Sequence, residues 1–241
     1  MTWEGLRRLF SERSPAVLPV GAFEQHGPHL PLATDTIIAE ALASELAKEL
    51  PAVLLPPLPY GAPSRPRSGG GDLFPAPSLP LELLLGSVAA VARGALRSGC
   101  GSLIVLSWHW ENASVLWDAL QPLYDSQSEA RALVIDNPAD LLDGGDRDAL
   151  FPEGFPGWES EHAGRLETAL MSYLAPALVG AIERPASFTR RSFDVLPTPR
   201  DAAPANGVFF DPGDVDAEVG ERCFRSISRS LLALVRNEVE G

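Results

Sequence analysis

The stretch Ser102-Leu-Ile-Val-Leu-Ser107, followed at once by Trp108-His109-Trp110-Glu111-Asn112, determines our interpretation of the fold. Its apolar residues run without alternation, which is typical of a strand buried on both faces of a parallel sheet. An imidazole and a carboxylate then follow the strand end, where α/β proteins place their functional sites. A second apolar run, Ala16-Val-Leu-Pro-Val20, also precedes a polar segment. The pattern therefore predicts a parallel sheet with its chemistry at one edge.

Predicted strands and helices alternate along the rest of the chain. The strands are Ala16–Val20, Ala52–Leu55, Ser102–Ser107 and Ala130–Ile135, and the helices are Thr36–Leu50, Leu81–Ser98, Asn112 to about Asp125, roughly Glu159–Leu174 and about Val215–Val239. Right-handed crossovers between parallel strands place helices on both faces of a sheet. We therefore predict an α/β fold, a three-layer α/β/α sandwich with a mainly parallel central sheet, as a single domain over residues 1–241. The proline-rich segments Pro57–Pro80 and Arg184–Pro212 are expected to form lids or subunit contacts.

Composition excludes several classes of function. The net charge of −13 argues against binding to nucleic acid or to an anionic membrane. Lys48 is the only lysine, which disfavours Schiff-base chemistry. No apolar run reaches the roughly 20 residues of a membrane helix. Cys100 and Cys223 are far apart in the sequence, as in a reduced protein. We therefore expect a cytoplasmic protein.

The loop Glu24-Gln-His-Gly-Pro-His-Leu-Pro-Leu-Ala-Thr-Asp35 is the densest group of chemical side chains. Taken singly, Glu24 is explained as a solvated carboxylate, His26 as a surface histidine and Asp35 as a helix N-cap. Together, in a stiff loop after a strand, the three residue types suit Zn or Mn. His29 lies among them without an assigned role.

His109 and Glu111 form a second cluster after the strand Ser102–Ser107. If this strand neighbours Ala16–Val20, both clusters project over one edge of the sheet. Two histidines and three carboxylates would then suit a pair of Zn²⁺ or Mn²⁺ ions, with Asp35 as the bridge. The alternative is a strand-end histidine beside a solvated glutamate.

Glu161 and His162 follow an aromatic loop and open a predicted helix. They are explained either as a capping or core pair or as an acid/base pair, and Glu167 follows just over one turn later. A metal-bound water would hydrolyse amides, esters or phosphates. The ligand motifs contain no lysine or arginine for an anionic substrate, which favours a neutral or weakly charged amide.

These motifs resemble the creatininase (creatinine amidohydrolase) family. The resemblance rests on Glu24–Asp35, Tyr60-Gly61, Ser68-Gly-Gly-Gly71, Phe74-Pro75, His109-Trp-Glu-Asn112, Leu150–Trp158, Glu161-His-Ala-Gly164, Glu167-Thr168 and Phe193-Asp-Val-Leu-Pro197. It covers most of the chain in order, and the motifs together are specific.

The resemblance implies a small amide substrate, two divalent ions per subunit and usually a homohexamer. One ion, often Mn, would be held by Glu24, Asp35 and His109. The other, often Zn, would be held by His26, Asp35 and Glu111. A bridging hydroxide would attack the ring carbonyl of creatinine to give creatine.

The resemblance also implies roles around these ions. His162 would pass a proton to the leaving nitrogen, with Glu161 beside it and Glu111 as a further catalytic carboxylate. Trp158 would close over the flat substrate. The substrate-side loop would supply Ser68 and close backbone approach at Gly69, Gly70 and Gly71.

Three sequence features bear on the substrate. Members that cleave peptides or formamides tend to carry His-Gly-Gly-Asn, so Glu111 favours the creatininase branch. The family commonly has Asn-Gly where this chain has Ser107-Trp108. Pro138 stands where an aromatic wall is expected, and Trp108 or Trp110 are candidates to replace it. The open alternatives are another cyclic amide, a formamide or a peptide as substrate, or a non-catalytic metal-binding scaffold.

Overall fold

The computed structural model describes residues 1–124 and 130–240. Its centre is a parallel sheet of four strands in the order β2-β1-β3-β4. The strands are β1 (Ala16–Val20), β2 (Val53–Leu54), β3 (Ser102–Ser107) and β4 (Arg131–Ile135). The two strands that precede the candidate ligands, β1 and β3, are therefore neighbours, as the proposed site requires.

Helices cover both faces of this sheet. They are α1 (Trp3–Ser11), α2 (Thr34–Glu49), α3 (Leu81–Arg97), α4 (Asn112–Leu120), α5 (Gly144–Leu150), α6 (Arg165–Leu174) and α7 (Ala217–Glu240). Ile104 and Leu106 of β3 point into one core with α2, α6 and α7, while Leu103 and Val105 point into the other with α1, α3 and α4. The alternation of β3 side chains between two dry cores produces the three layers, so the predicted sandwich is confirmed.

The start of α6 was predicted wrongly. We expected a helix from about Glu159, but residues Trp158–Ser160 form a single 3₁₀ turn and α6 begins at Arg165. Ala163 has a φ of 51°, a left-handed conformation that a continuous helix does not allow. Glu161 and His162 therefore lie in a bent segment before the helix, which turns them towards the sheet edge.

Helix α4 and its flanks also differ from expectation. The side chain of Asn112 does not cap the helix, since Glu111 occupies the cap position. The helix ends at Leu120 and a 3₁₀ turn contains Pro122, which has no N–H to continue the ladder. The predicted end at Asp125 lies outside the described residues.

Smaller differences concern helix ends and faces. Helix α2 begins at Thr34, so Asp35 sits in its first turn and does not cap it. Helices α1 and α5 were not predicted because both are short and polar. On α7, Leu234 is 37% exposed and not inward-facing as expected. Among the described residues, we find no helix with the length and apolar character to cross a membrane.

Candidate metal centre

The ends of β1 and β3 bring the two predicted clusters together. Val20 and Ser107 are partners in the parallel register, so the segments after them leave the same edge of the sheet. Asn112 ties these segments, because its amide donates to the Gly21 carbonyl and to Ser107 Oγ, both at 3.1 Å. Its side-chain oxygen accepts from Ala62 N at 2.9 Å. The polar loops are thereby fixed against the sheet without water.

Glu24, Asp35 and His109 form a first buried triad at this edge. His109 Nδ1 lies 2.9 Å from Glu24 Oε1 and 3.5 Å from Asp35 Oδ2. The other ring nitrogen, Nε2, lies 2.9 Å from the Ala62 carbonyl, which assigns the proton of the neutral ring to Nε2. Nδ1 is then free to act as a ligand, and the three residues are those that the resemblance implies for one ion.

A second buried triad consists of His26, Asp35 and Glu167. His26 Nε2 lies 3.3 Å from Asp35 Oδ1 and 3.7 Å from Glu167 Oε1. The two oxygens of Asp35 thus face different histidines, Oδ1 towards His26 and Oδ2 towards His109. This is the arrangement that a carboxylate bridging two ions requires.

The geometry does not place Glu111 in this second triad, contrary to our expectation. Among the described residues, Glu111 belongs to none of the candidate ligand groups. Its Oε2 lies 3.5 Å from His109 Nε2, on the side of the ring away from Asp35. Its Oε1 accepts from Arg65 N at 3.0 Å and from the Ser68 hydroxyl. Glu111, at the N-cap of α4, therefore contacts the substrate-side loop. Glu167 occupies the position beside His26 and Asp35 that we expected for Glu111.

Two buried atoms without hydrogen-bond partners give independent support for divalent ions at this site. His26 Nε2 and Asp35 Oδ2 have no hydrogen-bond partner in the described part of the chain, although both atoms are buried. Buried polar atoms are normally satisfied, and two orphans of ligand type in one cluster need a partner. Imidazole nitrogens and carboxylate oxygens are the ligands that Zn²⁺ and Mn²⁺ accept.

The five groups of the two triads stabilise one another's charges. Burial opposes a charge on His26, but Asp35 and Glu167 outweigh it and raise its pKa well above the ordinary range. Burial likewise opposes a charge on His109, and Glu24 and Asp35 raise its pKa strongly. Burial would raise the pKa of each carboxyl, yet the facing histidines lower it in Glu24, Asp35 and Glu167. In the metal-free site, the raised pKa values favour protonated imidazoles, whose positive charge balances the carboxylates as metal ions would.

His162 has contacts suited to proton transfer. Its Nδ1 lies 3.8 Å from Glu24 Oε1, and it also forms a candidate ligand group with Glu24 and His26. Its Nε2 lies 2.8 Å from the Gln25 carbonyl oxygen and 2.9 Å from the Gln25 amide nitrogen. The carbonyl suits a protonated Nε2 and the amide an unprotonated one. The ring thus has a partner in either state.

Glu161 and His29 occupy different positions beside the triads. Burial raises the pKa of Glu161 well above its ordinary value, and the charge of Glu167 raises it further. Glu161 Oε1 accepts from Leu166 N at 2.8 Å. His29 is buried and its Nε2 lies 3.0 Å from Thr168 Oγ1, so it holds the first turn of α6 and not a ligand position.

A small cavity of about 50 Å³ opens over the triads. Ser68, Trp110 and Trp158 line it, as do Glu111, Glu161 and His162. Trp158 is supported edge-on by Phe155, with ring centres 4.4 Å apart. These predicted site residues are therefore brought together around one space.

The glycine loop approaches the same site closely. A Cβ on Gly69 would lie 2.8 Å from Glu24 Oε2, so a side chain there would displace a candidate ligand. Gly70 and Gly71 have φ of 90° and 54°, which favour glycine. Gly71 lines a neighbouring cavity of about 310 Å³ and not the cavity over the triads.

Glu167 and Trp108 are the site residues whose roles the sequence did not define. Pro138, the position of the expected aromatic wall, is buried in a 3₁₀ turn, and Ala139 and Trp108 line the cavity there. The sequence signals for Glu167 were its spacing from His162 and its place in a motif that resembles the family, and neither defined its role.

Comparison with known proteins places this geometry in a family. The family model described as creatinine amidohydrolase matches residues 1–235. Creatinine amidohydrolase of Pseudomonas putida is 31% identical, with 99% of this chain and 95% of that protein covered. The mycofactocin precursor peptide peptidase of Mycolicibacterium smegmatis is 32% identical, with 90% and 83% covered.

Solved structures agree with the sequence matches. A manganese form of creatininase superposes with a TM-score of 0.93 at 29% identity, covering 100% of this chain and 97% of that one. A Zn–Zn form of a mutant creatininase has a TM-score of 0.92 at 30% identity and the same coverage. The described fold, the clustered ligands and these full-length matches agree, and the chain is therefore a hydrolase that belongs to the creatininase family.

Proposed function

We propose that this chain is a binuclear metal-dependent amidohydrolase that opens the ring amide of creatinine to creatine. The observation that carries the proposal is the pair of triads that share Asp35, one oxygen for each histidine. The relative from Pseudomonas putida, named for this activity, supports the substrate. Five candidate ligands follow, namely Glu24, His26, Asp35, His109 and Glu167.

Divalent Zn or Mn ions held by these residues would polarise the amide carbonyl and lower the pKa of bound water. The chain's own residues supply the rest. Glu111 lines the cavity without joining a triad, so we assign it the role of general base towards water. Ser68 and the amide of Arg65 hold its carboxylate by Oε1.

His162 then gives a proton to the nitrogen that leaves when the ring C–N bond breaks. The proton comes from Nδ1, which faces Glu24, while Nε2 keeps its own proton on the Gln25 carbonyl oxygen. Glu161 lies beside His162, and burial together with the charge of Glu167 raises its pKa well above its ordinary value, which disfavours a second negative charge there. Trp158 covers the flat ring and excludes water from the cavity.

The test is an assay of the chain, loaded with Mn²⁺ or Zn²⁺, on creatinine and on a panel of small amides. We expect conversion of creatinine to creatine with two ions bound per chain, and loss of activity on chelation. A loaded protein that leaves creatinine unchanged but cleaves another amide would reject the substrate and retain the class. Absence of any hydrolysis with both ions bound would favour the non-catalytic scaffold.

A second candidate is a larger amide, such as a peptide, as substrate. A cleft of about 490 Å³ adjoins the site and shares Trp110, Glu111 and Asn137 with the cavity over the triads. This is far more space than one five-membered ring fills, and a relative that cleaves a precursor peptide is 32% identical. Peptides and formamides therefore belong in the same panel, and preferential cleavage of a peptide would select this candidate.

The remaining expectations are part of the same proposal. They are a homohexamer, a cytoplasmic location, a single domain over residues 1–241, and no nucleic-acid or membrane partner. The homohexamer can be measured directly by light scattering of the metal-loaded protein.

A further inference from the structure

Trp108 is a buried aromatic residue at the edge of the metal centre. It follows β3 directly and precedes His109. Its side chain is only 9% exposed, and it packs with α6 and α7 residues in the core on that face. A buried indole N–H normally requires a hydrogen-bond acceptor, so the partner of this group is informative.

The partner is a carboxylate of the second triad. Trp108 Nε1 donates to Glu167 Oε1 at 3.1 Å. This same oxygen is the one that faces His26 Nε2, at 3.7 Å. The other oxygen, Oε2, accepts from the Ala163 amide at 2.7 Å. Each carboxylate oxygen therefore has one donor, and Oε1 keeps a lone pair for a further partner.

We infer that Trp108 is a positioning residue for the second metal site, acting through Glu167. The inference rests on the proposed binuclear function. Glu167 comes from α6, while His26 and Asp35 lie between β1 and the first turn of α2, so a contact is needed to hold the Glu167 carboxylate at the sheet edge. Trp108 provides this contact through its hydrogen bond to Glu167, because it follows β3 directly. Its N–H fixes the rotation of the carboxylate and so directs Oε1 towards His26 and Asp35.

The first triad gives an internal reference for this role. Among the described residues, the indole N–H of Trp108 donates to Glu167 and not to Glu24, Asp35 or His109. Loss of the N–H should therefore weaken one ion and leave the other unchanged. A Trp that only fills the core would lower overall stability and would not distinguish between the ions.

The experiment compares the two Zn²⁺ affinities of the loaded protein with those of Trp108→Phe, by competition with a chromophoric chelator. Groups that orient metal ligands typically contribute 10–100-fold to metal affinity, so we expect one ion to bind about 10–100-fold more weakly. Trp117→Phe is the matched control, because Trp117 is 61% exposed on α4 and does not line the cavity over the triads. It should leave both affinities unchanged.

A double-mutant cycle separates positioning from packing. In a Glu167→Ala background, Trp108→Phe should cause no further loss of affinity, since the oriented group is gone. Full additivity of the two changes would overturn the inference, as would two unchanged affinities in Trp108→Phe. A wild-type chain that does not bind two ions would overturn the proposed function itself.

A shape-preserving replacement covers the case in which Trp108→Phe does not fold. Benzothienylalanine placed at position 108 keeps the bicyclic ring and exchanges the N–H for sulfur. This residue should weaken the binding of the same ion as Trp108→Phe does. If both ions bound with wild-type affinity, the role of the N–H would be rejected.

Discussion

The two triads share Asp35 but are assembled in different ways. Glu24 and His109 both come from segments that leave the sheet at the neighbouring ends of β1 and β3. In the second triad, Glu167 comes from α6, which packs on α2 and α7 over one face of the sheet. The first triad therefore depends on strand pairing and on the start of α2, which carries Asp35, while the second depends in addition on how α6 is placed.

This difference predicts which of the two ions is lost more easily. Strand register places Glu24 and His109 of the first triad at the sheet edge, and none of its residues lies on α6. The second triad relies on contacts that orient α6, including Trp108 on Glu167 and His29 on Thr168. Variants of the shared residue should affect both sites, and variants of α6 should affect one.

Asp35→Asn should have the largest effect, because the shared carboxylate loses its charge in both triads. We expect fewer than one tightly bound ion per chain. Since metal ions contribute several kcal/mol to catalysis, activity should fall by about 10³-fold or more. Metal content by mass spectrometry and kcat/KM on the substrate found in the panel provide the measurement.

Asp148→Asn is the control for this prediction, because its side chain is exposed and pairs only with the adjacent Arg147. It should retain both ions. If Asp35→Asn kept two ions at wild-type affinity, Asp35 would not be the bridge.

Glu167→Gln and Glu111→Gln should distinguish a metal ligand from a catalytic base. Both changes preserve shape and remove a charge. Because groups that merely orient ligands contribute 10–100-fold, loss of the Glu167 ligand should weaken one ion by at least about 100-fold. Glu111→Gln should keep both ions and lose activity. Chelator competition and an activity assay on the same preparations measure both outcomes.

The opposite outcome would restore the assignment made from the sequence. If Glu111→Gln lost one ion while Glu167→Gln kept two, Glu111 would be the ligand in solution. The comparison is sharp because the two variants differ in which property they affect, the metal content or the turnover.

The fold was predictable because its two central strands, β1 and β3, are short, mainly apolar and buried along their whole length. The run Leu103–Leu106 is fully buried and alternates between two cores, and no other fold class accommodates such a strand easily. The first triad followed from the same reasoning, since parallel strands end at the same edge. Helix ends were harder, because the left-handed Ala163 has no sequence signal comparable to glycine or proline.

Glu111 was assigned to the second ion because of its motif position in the family resemblance. In the structure, Glu167 and not Glu111 lies beside His26 and Asp35. The actual direction of Glu111 depends on Ser68 and Arg65, which lie more than forty residues away along the chain. Contacts of that kind are not encoded in a local pattern.

The smallest predicted effect is a pH dependence that the two triads share. Each triad holds one histidine with a raised pKa, His26 or His109, because burial is outweighed by neighbouring carboxylates. In the metal-free protein this raised pKa stabilises the fold fully below about pH 6.5, and the contribution is lost as the pH rises through the raised value. Ion binding requires a neutral imidazole and so releases the proton.

The affinity of each ion should therefore rise by up to about tenfold per pH unit between pH 6 and 8, with one proton released. The carboxylates Glu24, Asp35 and Glu167 do not contribute, since their lowered pKa values keep them ionised throughout this range. The difference in Tm between loaded and metal-free protein should widen over the same interval. Calorimetric titrations in buffers of different ionisation enthalpy count the released protons. A rise for one ion only would show that one of the two histidines is already neutral in the metal-free protein, and would break the symmetry between the triads.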